Sequence, residues 1–216
     1  MRRSRCMGGI TVASEKMEKN KNKGEEVLTF EQNILMYLHD FIHLLAVIMV
    51  VFVFLFRIVI VSGSSMYPTL WNGDLLLVSG SLLYQNPEPG DIIVASKDSF
   101  GGGEPIIKRV IATEGQTVDI DFDAGIVYVD GVALKEDYTY TPTNVDEGIV
   151  FPITIAEGCI FVLGDNRNGS RDSRDPSIGM IDTRQILGKA VFLVFPGTGE
   201  RGNSAPRDFR RIGAMK

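Results

Sequence analysis

The chain has 216 residues and only two histidines, His39 and His43, both on the N-terminal side of its longest apolar run. Everything beyond that run therefore lacks an imidazole, which excludes a Ser-His-Asp or Cys-His mechanism there and any His-based zinc site. A nucleophilic serine in this part of the chain needs another base, and lysine is the known substitute. Five lysines follow the run: Lys97, Lys108, Lys135, Lys189 and Lys216. Only Lys108 (Ile106-Ile107-Lys108-Arg109-Val110-Ile111) and Lys189 (Leu187-Gly188-Lys189-Ala190-Val191-Phe192) sit in apolar surroundings. Burial there disfavours the ammonium and makes the neutral amine accessible as a base. Read alone, each is better taken as a strand residue reaching to solvent. The serine with non-linker neighbours is in Ser62-Gly63-Ser64-Ser65-Met66-Tyr67-Pro68-Thr69-Leu70, directly after the run. A third polar element, Gly164-Asp165-Asn166-Arg167-Asn168-Gly169-Ser170-Arg171-Asp172-Ser173-Arg174, has the density of an internally paired network or of a solvated turn.

The elements that must position these residues are a membrane span and a β domain. From Phe41 to Val61 the only polar residues are His43 and Arg57. As a helix these residues would rise about 31 Å, the thickness of a bilayer's hydrocarbon core. A core helix is rarely apolar on every face in a domain of this size, and a signal peptide rarely carries about 40 preceding residues. Seven Lys or Arg precede the run (Arg2, Arg3, Arg5, Lys16, Lys19, Lys21, Lys23), and beyond Arg57 the next is Lys97. The positive-inside rule then places the N-terminus in the cytoplasm and residues 62–216 outside. Cys6 and Cys159 would fall on opposite sides and cannot pair. His39 and His43 have helical i, i+4 spacing but no third ligand nearby, so no metal is expected.

Residues 62–216 read as short strands separated by turns. Asp130-Gly131 between Ile126–Val129 and Val132–Leu134 predicts a two-residue hairpin. Further strands are expected at Asp74–Val78, Ile92–Ala95, Ile106–Ile111, Ile149–Ile155, Ile160–Leu163 and Ala190–Phe195, which predicts an all-β barrel or sandwich. Gly101-Gly102-Gly103 reads as a hairpin tip, because a phosphate cradle needs a following helix. The basic stretch after Pro196 reads as a surface tail. Apolar residues make up 44% and charged residues 23%, close to globular averages. Lys plus Arg number 22 against 27 Asp plus Glu, a net charge of −5 that argues against nucleic-acid binding.

Taken together, the three segments resemble the bacterial type I signal peptidases, membrane-bound Ser-Lys endopeptidases. Ser65-Met66-Tyr67-Pro68-Thr69-Leu70 is similar to that family's nucleophile motif, Lys108-Arg109 to its lysine motif, and Gly164 to Arg174 to its Gly-Asp-Asn-Arg…Ser…Asp-Ser-Arg segment. Gly90-Asp91-Ile92 also fits. The resemblance implies a catalytic Ser65 and Lys108, no cofactor, a Ser170 hydroxyl bonded to the lysine, and an Asp172–Arg174 pair holding the loop. It also implies docking of an extended signal peptide between Ile60, Gly63 and Ser64 on one side and Pro105, Ile106 and Ile107 on the other, with cleavage after Ala-x-Ala. Gly63 stands where some members carry an oxyanion-hole serine, so the Ser65 N–H needs another companion donor. Thr113-Glu114 replaces a more usual Leu-Pro. The implied organisation is a cytoplasmic tail (1–38), an anchor helix (39–61) and an extracytoplasmic peptidase domain (62–216). The implied setting is a monomer in a bacterial plasma membrane, in contact with lipid. A pilin-processing or self-processing Ser-Lys peptidase, or a silent binding module of the same fold, remains an alternative reading at this level.

Overall fold

A computed structural model describes residues 30–97, 99–199 and 207–215. The basic tail residues 2–23, Cys6 and Lys216 lie outside the described residues. Among the described residues one α-helix, α1 (Phe30–Leu55), is followed by twelve short strands. Within α1, Asn33–Leu55 is long and apolar enough to cross a membrane.

The anchor helix expected over 39–61 is corrected at both ends. The helix starts by Phe30 and stops at Leu55, and Phe56–Ile60 is strand β1. Local propensity does not make this division, because Val50, Val51 and Val53 are β-branched and helical. The partner makes it. Phe56 to Ile60 pair in antiparallel register with Ser79 to Leu75 of β2 (Leu75–Gly80). The β domain therefore begins before Ser62.

The remaining strands are β3 (Ile92–Ser96), β4 (Pro105–Thr113), β5 (Thr117–Asp121), β6 (Ile126–Val129), β7 (Val132–Ala133), β8 (Ile153–Thr154), β9 (Cys159–Leu163), β10 (Ile181–Asp182), β11 (Ile186–Phe195) and β12 (Gly213–Ala214). All pairings are antiparallel. One sheet runs β1-β2-β11-β3-β4-β9-β10, with β12 on β11, and a smaller one runs β7-β6-β5-β8. The all-β expectation holds, and the hairpin at Asp130-Gly131 forms with positive φ at both residues. The expected Ile149–Ile155 strand shrinks to β8, since Pro152 has no N–H to contribute to a ladder. Strand β5 was not expected. Its Val118 and Ile120 are buried between exposed Asp119 and Asp121, a period-two pattern obscured by its acidic residues.

Strands β1, β2, β3 and β11 close one core around Met66, Leu70, Leu76, Val78, Val94 and Leu193. On the opposite face, Ile58, Leu77 and Phe192 stand side by side in register, and Ile58 is 64% exposed. The segment after Pro196 is not a free surface tail. It returns as β12 on β11, and Arg211 pairs with the fully buried Asp74.

Because β1 belongs to the β domain, a fragment 56–216 should fold and a fragment 62–216 should be markedly less stable. The shorter one loses buried Val61 and the partner of the β2 edge. Each fully buried aliphatic side chain contributes roughly 1.5–3 kcal/mol. Denaturant melts of the two fragments in detergent decide this; equal midpoints would return the boundary to Ser62.

Candidate active site

Two neighbours on β4 enter the site from opposite faces. Lys108 and Arg109 are both 4% exposed, and each solves its burial differently. Arg109 forms a bidentate pair with Asp165 (Nε–Oδ1 2.8 Å, Nη2–Oδ2 2.7 Å) and lies 4.1 Å over the Tyr138 ring. Among the described residues Lys108 has no ion pair. Its Nζ is 2.9 Å from Ser65 Oγ and 3.1 Å from the Ile107 carbonyl. Burial pushes the Lys108 pKa down to about 8; Asp172, Glu147 and Asp165 at longer range oppose that shift, and Arg174 adds to it. A lysine that is partly neutral near pH 8, in contact with a serine hydroxyl, can accept that hydroxyl's proton. The other apolar lysine is a contrast. Lys189 is one-third exposed and pairs with Asp91 at 2.5 Å.

Ser65 opens a tight turn. The Leu70 N–H donates to the Met66 carbonyl, and both side chains are buried, so Met66 and Leu70 pin the turn to the core. The carbonyls of Ser64 and Ser65 accept hydrogen bonds from Asn166 Nδ2 (3.2 Å) and Asn166 N–H (3.0 Å). The polar loop thus grips the serine by its backbone. Gly164 permits that approach, since a Cβ there would lie 2.5 Å from the Ser65 carbonyl oxygen and 2.2 Å from Ser170 Oγ.

The loop is a paired network. Asp172 and Arg174, both fully buried, pair at 2.8 Å as the resemblance implied, and Asp172 also accepts the Gly164 N–H. Arg174 caps the Val145 and Arg167 carbonyls. Arg167 forks onto Glu136 and bonds Thr143 Oγ1 and the Gly164 carbonyl. Ser170 departs from expectation. Its Oγ is buried and has no hydrogen-bond partner, so it does not bond Lys108; it packs where Gly164 lacks a side chain.

A cleft of about 360 Å³ is lined by Ser65, Lys108, Ile60, Pro105, Ile106 and Ile107 as expected. Val59, Ser62, Phe100 and Glu104 are also in its walls. Gly63 and Ser64 are not. The Gly63 N–H turns to Asn72 Oδ1 (3.0 Å), and Ser64 offers its carbonyl to Asn166. Sequence reasoning also gave no role to Arg109, Asp165 or Asn166. The available signal was the Lys-Arg pair itself, because two adjacent bases in an apolar strand both need a reason to be buried.

Asp172→Ala leaves the Arg174 guanidinium buried with only the partly exposed Glu147 beside it, at 3.4 Å. The expected loss is about 3–5 kcal/mol in a denaturant melt, the usual cost of breaking a buried pair. Asp137→Ala, which removes an exposed partner of Lys135, should melt as wild type. Equal effects would mean the loop network does not carry its own charge balance.

A family model described as signal peptidase, peptidase S26, matches residues 34–195. The probable signal peptidase I-1 of Synechocystis is 36% identical over 145 residues, covering 64% of this chain and 70% of that protein. A signal peptidase I of Bacillus amyloliquefaciens is 32% identical over 166 residues, covering 71% and 84%. A solved signal peptidase I from Enterococcus faecalis is 31% identical and covers 48% of this chain and 96% of its own, with a TM-score of 0.39. The family match runs from the apolar helix to the end of β11, about three quarters of the sequence, and on that extent the chain belongs to the signal peptidase family, peptidase S26.

Proposed function

We propose that this chain carries out its family's reaction, endoproteolytic removal of signal peptides from preproteins, with Ser65 as nucleophile and Lys108 as general base. The observation that carries the assignment is the 2.9 Å contact between Ser65 Oγ and a buried Lys108 Nζ that has no ion-pair partner among the described residues. Neutral Lys108 takes the hydroxyl proton as Oγ attacks the scissile carbonyl. The resulting ammonium gives that proton to the leaving amine, which frees the new N-terminus and leaves an acyl ester on Ser65. Water, deprotonated by Lys108, then hydrolyses the ester. The backbone N–H of Ser65 is the first oxyanion donor. Ser170 and the Asp172–Arg174 pair support the site through packing and backbone contacts, not through a bond to the lysine.

An extended substrate fits between the Val59–Ser62 and Pro105–Ile107 edges, where alternate side chains enter the cleft. Ile60, Ile106 and Ile107 leave room for small residues at the −1 and −3 positions, the Ala-x-Ala pattern. The apolar row of Ile58, Leu77 and Phe192 suits contact with lipid, and α1 suits a single span. The chain then works as a monomer in a bacterial plasma membrane, with residues 1–38 cytoplasmic and the β domain outside.

Cleavage of a preprotein by purified protein tests the dyad. Ser65→Ala and Lys108→Ala should each abolish cleavage, and the double variant should be scarcely worse than either. Lys108→Arg should fail too, because guanidinium stays protonated. Activity should rise with pH through about 8, as the Lys108 ammonium loses its proton. Robust cleavage by Lys108→Arg would overturn the assignment.

Stability should move the opposite way from activity. The folded Lys108 pKa of about 8 lies below the unfolded value of about 10.4, so the unfolded chain binds more protons between these values. Stability is therefore lost as pH falls through that window and stays lost below it, by about 3 kcal/mol at pH 7. Lys108→Met should be inactive yet melt higher than wild type at pH 7, with the gap closing towards pH 10. A Met variant that melts lower at both pH values would show that the ammonium is not a burden on the fold.

A further inference from the structure

We infer that Arg211, beyond the family-matched region, is a positioning residue for Ser65, acting from the far end of the nucleophile turn. This rests on the assignment of Ser65 as nucleophile. Arg211 Nη1 and Nη2 fork onto Asp74 Oδ1 (2.9 Å) and Oδ2 (2.6 Å), and the guanidinium lies 4.2 Å over the Trp71 ring. Asp74 is 0% exposed, and Arg211 is its only ion-pair partner among the described residues. The same carboxylate accepts the N–H groups of Trp71 and Gly197, both at 2.7 Å. The Asp74 backbone carbonyl accepts the Val61 N–H (2.8 Å). One carboxylate residue thus ties the chain entering the Ser65 turn to the chain leaving it.

Arg211 also reaches the turn directly. Its Nη2 donates to the Thr69 carbonyl (3.1 Å), while the Thr69 hydroxyl donates to Asp165, the partner of Arg109 beside Lys108. Asn166 holds the start of the turn at Ser64 and Ser65, and Arg211 holds its end at Thr69. The guanidinium is itself seated by β12, which pairs with β11, and by Met215, which packs with the core that holds Met66 and Leu70. Without the fork, the buried carboxylate repels or rehydrates, and the turn loses the anchor that sets how Ser65 Oγ meets Lys108 Nζ.

The test uses full-length protein in detergent with a preprotein substrate, reading kcat, KM and thermal melting. Arg211→Gln should lower kcat about ten- to hundredfold, the scale of a small misplacement of reacting groups, while KM stays within about twofold. Arg211→Lys should recover part of kcat, since it restores the charge but not the fork. Arg210→Gln, whose exposed side chain pairs with the half-buried Asp208, should match wild type. If Arg211→Gln does not fold, Asp74→Asn/Arg211→Gln removes the unpaired buried charge and takes its place; low kcat in the folded double variant supports the positioning role. Wild-type kcat in either variant, or a loss that only tracks the unfolded fraction, overturns it. Undiminished cleavage by Ser65→Ala would instead sink the nucleophile assignment, and this inference with it.

Discussion

A lysine buried without a counter-ion is the constraint on which the rest of this site depends. An ammonium taken out of water gains nothing from its surroundings unless a carboxylate meets it, and here none does. That condition is maintained by pairing every other buried charge nearby. Arg109 takes Asp165, Arg167 takes Glu136, Arg174 takes Asp172 and Arg211 takes Asp74. Each of these carboxylates already has its guanidinium, so none pairs with Lys108, and their longer-range pull only partly offsets the effect of burial. The network leaves Lys108 without an ion pair among the described residues and also ties the loop together.

A second problem is the placement of a serine that lies on a turn and not on a strand. Asn166 holds its backbone from one side, and the buried Met66 and Leu70 hold it from below. Lys108 comes from β4, flanked on both sides by paired strands, β3 and β9. One strand and one clamped turn thus bring Ser65 and Lys108 together. Ser170, expected to bond Lys108, instead packs against Gly164 with its hydroxyl unbonded among the described residues.

The sequence by itself determined which chemistry was available. The lack of histidine beyond the apolar run left lysine as the alternative base, apolar neighbours narrowed five lysines to Lys108 and Lys189, and the resemblance of the Lys108-Arg109 segment chose between them. The Asp130-Gly131 hairpin was legible because its turn is local, and the Asp172–Arg174 pair was implied by the family resemblance. Tertiary structure decided what depends on distant partners. The cut between helix and strand at Leu55 is set by pairing with β2, because the flanking residues are apolar and β-branched on both sides. Lys108 and Lys189 differ in their freedom because Asp91 reaches one and not the other. Arg109 finds Asp165, and Arg211 finds Asp74, across 56 and 137 residues of chain. Sheet register brings such pairs together, and register is a property of which strands meet, which no local pattern of residues encodes.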